Sequence, residues 1–343
     1  ISTRRRPPTR SPIDVTDAEQ TFREAAEFHR QGLLPQAERL YREVLRQVPD
    51  HADALHLLGV LHAQNKDYAG AVTLIERAAA LAPSNPAIPY NLANALRDLG
   101  RLEDAAAAYG RAAALMPDST LALNNRGAVL YALNRYEDAL AEYDRALTLD
   151  PNDAAVLSNR GNALVALGRN EDALASYDKA LAMPPGTASL WTNRGIAQYR
   201  LKQFAASLAS LDAATMFDAN RADTLFHRGN ALSELKRYDE ALTALDASLT
   251  IKPDEPDTLV SRGVALAAPG AAALFFVSAL STGLAACVVL SQITASTAEH
   301  DGVHLAGSYF YLNQIRSALI VVETIFIFCW LFELFFVYLC GQF

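Results

Sequence analysis

The chain has 343 residues, 20% of them charged, and a formal net charge of -8 at pH 7 that is spread along the sequence. Its one basic cluster, Arg4, Arg5, Arg6 and Arg10, is too small to be a groove that tracks phosphate backbones, so no nucleic-acid partner is expected. Cys287, Cys329 and Cys340 all fall in the last quarter, in apolar surroundings and without metal-ligand or disulfide spacing, which fits a reducing compartment. Residues 1–17, opening ISTRRRPPTRSPID, have neither an initiator Met nor an apolar core behind the arginines. They read as a disordered basic lead-in or the cut edge of a fragment, not as a secretory signal.

From residue 18 a period governs the chain. The stretch NRGAVLYALNRYEDALAEYDRALTLDP at 125–151 returns 34 residues later as NRGNALVALGRNEDALASYDKALAMPP. Sliding the sequence in this step gives unit starts at Ala18, Ala52, Pro86, Thr120, Ala154, Ala188 and Ala222, with a partial eighth unit from Pro256. One column holds Gly59, Gly127, Gly161, Gly195, Gly229 and Gly263, with Ala25 and Ala93 standing in; others hold Ala37, Ala71, Ala105, Ala139, Ala173 and Ala241, then Ala78, Ala112, Ala146, Ala180 and Ala214. Small residues on two successive helical patterns let two helix axes approach closely. Between the alanine columns, Tyr41, Ile75, Tyr109, Tyr143, Tyr177, Leu211 and Leu245 lock the gap.

Boundaries follow from local chemistry. Pro49, Pro83, Pro117, Pro151, Pro185 and Pro253 stop each second helix, and Asn85, Ser119, Asp153 and Thr187 can cap the next. Acid pairs such as Glu103 with Asp104, Glu137 with Asp138 and Glu171 with Asp172 sit where the helix dipole favours negative charge. Each unit is thus predicted to be a helical hairpin.

These spacings resemble those of the tetratricopeptide repeat over residues 18–268. The resemblance implies an all-α, right-handed solenoid of stacked hairpins with a concave inner surface. Ser207 and Ala219 depart from the pattern, so the sixth unit is where packing and the helix stop are in question. In the family, first helices face the concave side. There the residues just before the glycine column read Asn91, Asn125, Asn159 and Asn193, flanked by Asn94, Asn124, Asn162 and Asn230. An amide offers donors and acceptors together, so such a row can pair with the backbone of any extended peptide. It is similar to the asparagine ladder in the repeat array of O-linked N-acetylglucosamine transferases; the competing reading is a merely soluble face.

Beside this row runs Arg126, Arg160, Arg194, Arg228 and Arg262, a stripe that could attract acidic peptides or phosphate. Asp144, Asp178, Asp212 and Asp246 accompany the first four of these within their units, while the third unit has Leu92 and Gly110 instead. This joint occurrence predicts ion pairs between the two helices of one hairpin, Arg126 with Asp144 and so on.

After Leu266 the pattern fails, and residues 269–343 form an apolar tail. Residues 271–293 carry no charge, and at ~1.5 Å per residue such a helix is about 34 Å long, enough to cross a ~30 Å hydrocarbon layer. A second run, 317–340, contains Glu323 and Glu333, each costly inside a bilayer. A membrane hairpin, with Ser278, Ala279, Thr282 and Gly283 as a close-contact face, stands beside two alternatives: a helical cap on the solenoid, or foreign sequence. Lys252 and Arg262 before the first run favour a cytoplasmic array anchored by its tail, while Arg316 in the loop argues the other way. His300, Asp301 and His304 lack a clear further ligand, so no metal is expected, and no cofactor.

No phosphate loop or nucleophile elbow is present in the sequence, so no enzyme and no small-molecule substrate are expected. The function implied is a scaffold that binds a protein or peptide segment, tethered to a bilayer through residues 271–340. The alternative is the substrate-recognition part of a truncated glycosyltransferase.

Overall fold

A computed structural model describes residues 15–267, Pro185 excepted. All regular structure there is helical. Fifteen helices follow in pairs: α1 Val15–Arg30 with α2 Leu34–Gln47, α3 Ala52–Gln64 with α4 Tyr68–Leu81, α5 Ala87–Asp98 with α6 Leu102–Leu115, and α7 Thr120–Ala132 with α8 Tyr136–Leu149. Then come α9 Ala154–Ala166 with α10 Asn170–Leu181, α11 Ala188–Arg200 with α12 Phe204–Phe217, α13 Ala222–Glu234 with α14 Tyr238–Ile251, and α15 Pro256–Ala267. The first helix begins ahead of the expected start at Ala18, so residues 15–17 are helical and not part of the lead-in; Asp17 stands in its first turn, where the helix dipole stabilises it. The candidate spans 271–293 and 317–340 lie outside the described residues.

Side-chain caps start several first helices. Ser119 Oγ accepts from Ala122 N at 3.2 Å, Asp153 Oδ1 from Val156 N at 3.0 Å and Thr187 Oγ1 from Leu190 N at 3.2 Å. Within each hairpin the turn carries one residue in the left-handed region: Gly32, Lys66, Gly100, Asn134, Gly168, Lys202 and Lys236, at φ between 58° and 83°. Glycine adopts this conformation freely; the lysines and Asn134 are held there by the two helices they join.

The bulky column fills the gap between paired helices. Tyr41, Tyr109, Tyr143 and Tyr177 are fully buried. A methyl built on Gly127 would lie 2.5 Å from Tyr143 Cε1, and one on Gly229 would lie 2.6 Å from Leu245 Cγ. Gly59, Gly127, Gly161, Gly195 and Gly229 are therefore sockets for the side chain one helix later, and burying an apolar side chain in such a socket contributes about 1.5–3 kcal/mol. In the sixth unit Ser207 resolves its polarity by donating to the Gly195 carbonyl at 2.7 Å. Without the proline α12 still ends at Phe217, and the Asp218 carboxylate accepts from Asn220 N at 3.0 Å, as Asp150 does from Asn152 N where Pro151 is present.

Stacking sets the curvature. First helices of successive units touch one another, as α3 does α5 and α11 does α13, and no two second helices meet as closely among the described residues. The layer of first helices is thus the tighter, inner side of an all-α solenoid.

Candidate functional site

The asparagine row lies on this inner layer, and the fold ties each amide to the unit before it. Asn91 Nδ2 donates to His56 Nε2 at 2.8 Å, Asn125 Nδ2 to the Tyr90 hydroxyl at 2.9 Å, and Asn159 Nδ2 to Asn124 Oδ1 at 2.9 Å. Asn193 Nδ2 reaches Asn162 Oδ1 at 2.8 Å. An amide nitrogen has no lone pair to accept with, so His56 Nε2 is the acceptor and its ring proton sits on Nδ1. That tautomer is neutral, as befits an imidazole whose pKa burial pushes down against the opposing pull of Asp53. Neighbouring amides are fixed from below: Tyr109 donates to Asn94, and Tyr177 donates to Asn162 at 2.8 Å.

Consequently one N–H of each row amide is committed. The oxygens of Asn91, Asn125, Asn159 and Asn193 accept no hydrogen bond among the described residues and stay accessible, since none is a buried unsatisfied atom. Each amide plane is set, with an acceptor and a second N–H left over. Asn230, on α13, makes no side-chain hydrogen bond among the described residues. The row's own column continues one period on to His227, whose pKa burial pushes down and Asp223 opposes.

The arginine and aspartate columns meet, but in a different register from the expected one. Arg160 Nε contacts Asp144 Oδ1 at 2.7 Å, Arg194 contacts Asp178 at 2.7 Å, Arg228 contacts Asp212 at 2.7 Å and Arg262 contacts Asp246 at 2.5 Å. Each pair joins one hairpin to the next, not the two helices of a single hairpin, because the arginine leaves its helix toward the second helix of the preceding unit. The link inside the hairpin comes from the same guanidinium through another atom. Arg160 Nη1 donates to Ser176 Oγ at 2.7 Å and Arg194 Nη1 to Ser210 Oγ at 2.6 Å.

Arg126 does not pair with Asp144. Its preceding column position is Gly110, so Arg126 turns instead to Glu142 within its hairpin, Nη1 to Oε1 at 2.7 Å, and its Nε is buried without a partner. Glu142, only 7% exposed, also binds Arg145 at 2.9 Å. Sequence reading missed Glu142, Ser176 and Ser210, and also His56 and Tyr90. The first three share one column and the last two another, so periodic spacing was the available signal, obscured by mixed residue types.

Among the described residues no cluster of His, Cys, Asp and Glu could hold a metal ion, and no helix is long and apolar enough to cross a membrane. The residues His300, Asp301 and His304 fall outside them.

Family profiles described as "TPR repeat" match residues 93–134 and 129–168, and profiles described as "Tetratricopeptide repeat" match 22–86, 158–224 and 222–255. Among solved structures, the APC/C hetero-tetramer Cut9-Hcn1 aligns at 20% identity and a TM-score of 0.56, over 71% of this chain and 48% of that one. This chain thus spans about half the length of that relative. A tetratricopeptide repeat protein from Parabacteroides merdae aligns at 16% identity and a TM-score of 0.56, covering 73% of this chain and 99% of that one. Pseudomonas aeruginosa pilF aligns at 20% identity and a TM-score of 0.53, covering 62% and 96%. These likenesses are of fold. With profiles matched almost without a break from residue 22 to residue 255, over the same residues that form the helical hairpins, the chain belongs to the tetratricopeptide repeat family.

Proposed function

We propose that the array is a protein-interaction scaffold that holds an extended segment of a partner along Asn91, Asn125, Asn159 and Asn193. Proteins of this family bind protein or peptide partners. The observation that carries the finer reading is the set of four row amides, each oriented by a bond to the preceding unit and each keeping an accessible oxygen. A repeating amide presents the same donor and acceptor pattern as a peptide backbone, so it holds main chain and is indifferent to side-chain sequence. Because the amide planes are set beforehand, less freedom is lost on binding.

The test uses decapeptides selected from a random display library on the full chain, with affinity read by fluorescence polarisation. Replacing all four row asparagines by alanine should weaken the selected peptides at least tenfold while far-ultraviolet circular dichroism stays unchanged. Unaltered affinity would remove the row from the binding surface. Attachment to a bilayer through residues 271–340 is the second part of the proposal, supported by the absence of charge from 271 to 293. Release of the chain from membranes by alkaline carbonate would overturn it.

A further inference from the structure

The guanidinium–carboxylate clasp present at four junctions is missing between the second and third units. There the same two columns hold Glu76 and Leu92, separated like Asp144 and Arg160 by 16 residues. Leucine cannot reach across with a charge, and Glu76 makes no ion pair or side-chain hydrogen bond among the described residues. In place of the clasp a cleft of about 410 Å³ opens, with Glu76 at its edge and Leu92 and Leu96 on its floor. Its walls are Ala79 and Ala80 of α4 and Ala107 of α6, whose short side chains leave the space between the two second helices unfilled. Arg101, also on the rim, is neutralised by Asp104 at 2.7 Å.

We propose that this outer-face cleft takes a basic side chain of a partner protein, arginine above all, and that Glu76 is its counter-ion. Four junctions of this molecule supply the template. In each, an arginine lies against the neighbouring second helix and gives its Nε to the carboxylate of that column, at 2.5–2.7 Å. The vacancy at Glu76 offers the carboxylate without the guanidinium. An arginine entering from outside lays its methylene stem on Leu92 and Leu96 and presents a planar fork to the acid. Arg111, on the opposite rim and without an ion-pair partner among the described residues, opposes the incoming charge. It therefore favours a cation held at Glu76 over one placed loosely in the opening. The site lies on the second-helix layer and is independent of the asparagine row.

The probe is the peptide acetyl-Gly-Arg-Gly-amide, titrated into the 15N-labelled full chain, with its norleucine counterpart as the uncharged control. Saturable shifts should gather at the amides of Ala79, Ala80 and Ala107, and the arginine peptide should bind at least fivefold tighter than the norleucine one. Leu92→Arg, which completes the clasp from within, should abolish the shifts. Glu76→Gln should weaken binding at least fivefold, and Arg111→Ala should strengthen it about twofold. Should Leu92→Arg fail to fold, Glu76→Gln, a change at an exposed position, decides alone. Equal binding of both peptides, shifts centred elsewhere, or indifference to Glu76→Gln would each overturn the assignment.

Discussion

Gly110→Asp should build a fifth clasp and stabilise the array. A Cβ added at Gly110 would stand 3.4 Å from Arg126 Nε and 3.5 Å from Cζ, ordinary contact distances that need no rearrangement. The new carboxylate would meet the buried, unpartnered Nε while Nη1 keeps Glu142. Replacing a glycine inside a helix by aspartate gains about 0.3 kcal/mol in propensity. The pair itself contributes about 0.2–1 kcal/mol, because its siblings are partly exposed, Arg160 to 25% and Asp144 to 52%. The sum is about 0.5–1.3 kcal/mol, or about 1–5 °C in Tm for an array of this size. Gly110→Asn is the reference, since it has nearly the same helix propensity and no charge. Urea denaturation of all three chains at ~50 mM and ~1 M NaCl separates the contributions, because added salt screens only the ionic one. An aspartate variant no more stable than the asparagine variant at low salt would refute the clasp, and so would a difference that salt leaves untouched.

Three further outcomes follow from the turns and the inner layer. Lys202 holds φ at 59°, so Lys202→Gly should raise stability by about 0.5–1 kcal/mol, read from the urea midpoint, while Gly168→Ala at φ 75° should lower it by a similar amount. Burial pushes the His227 pKa down, so the unfolded chain binds its proton more readily: His227 has no effect well above pH ~6.5 and costs stability as the pH falls through that value. Comparing urea midpoints at pH 7.5 and 5.5, the native chain should lose more than His227→Gln, by at most about 1.4 kcal/mol per pH unit. Asp67, held low by its bonds from Gly70 N and His62, loses its support only at more acid pH and does not confound that window.

The hairpin period, the caps at Ser119 and Asp153 and the filled gap beside Gly127 were all legible in the sequence, because each depends on neighbours within one unit or on a column of a single residue type. The partners of the arginines were not. Arg and Asp repeat with one and the same period, so pairing within a unit and pairing with the unit before leave identical column patterns. Only the ends discriminate. Arg262 has Leu280 at the aspartate column of its own unit but Asp246 before it, whereas Arg126 has Asp144 in its own unit and Gly110 before it. The left-handed turn column escaped notice because glycine, lysine and asparagine share it. In the candidate site the row itself was visible, but the supports His56, Tyr90 and Asn124 differ chemically, since any acceptor of suitable reach can serve an amide N–H.

The Asp–Arg clasps begin only after the fourth unit and run from there to α15. A coil with a guanidinium clasp at every later junction, and tied at its earlier ones mainly by hydrogen bonds such as Asn91–His56 and Asn125–Tyr90, is a spring of two stiffnesses. Tension or torsion imposed by a bound partner should therefore be taken up more in the first three units than in the later, clasped ones.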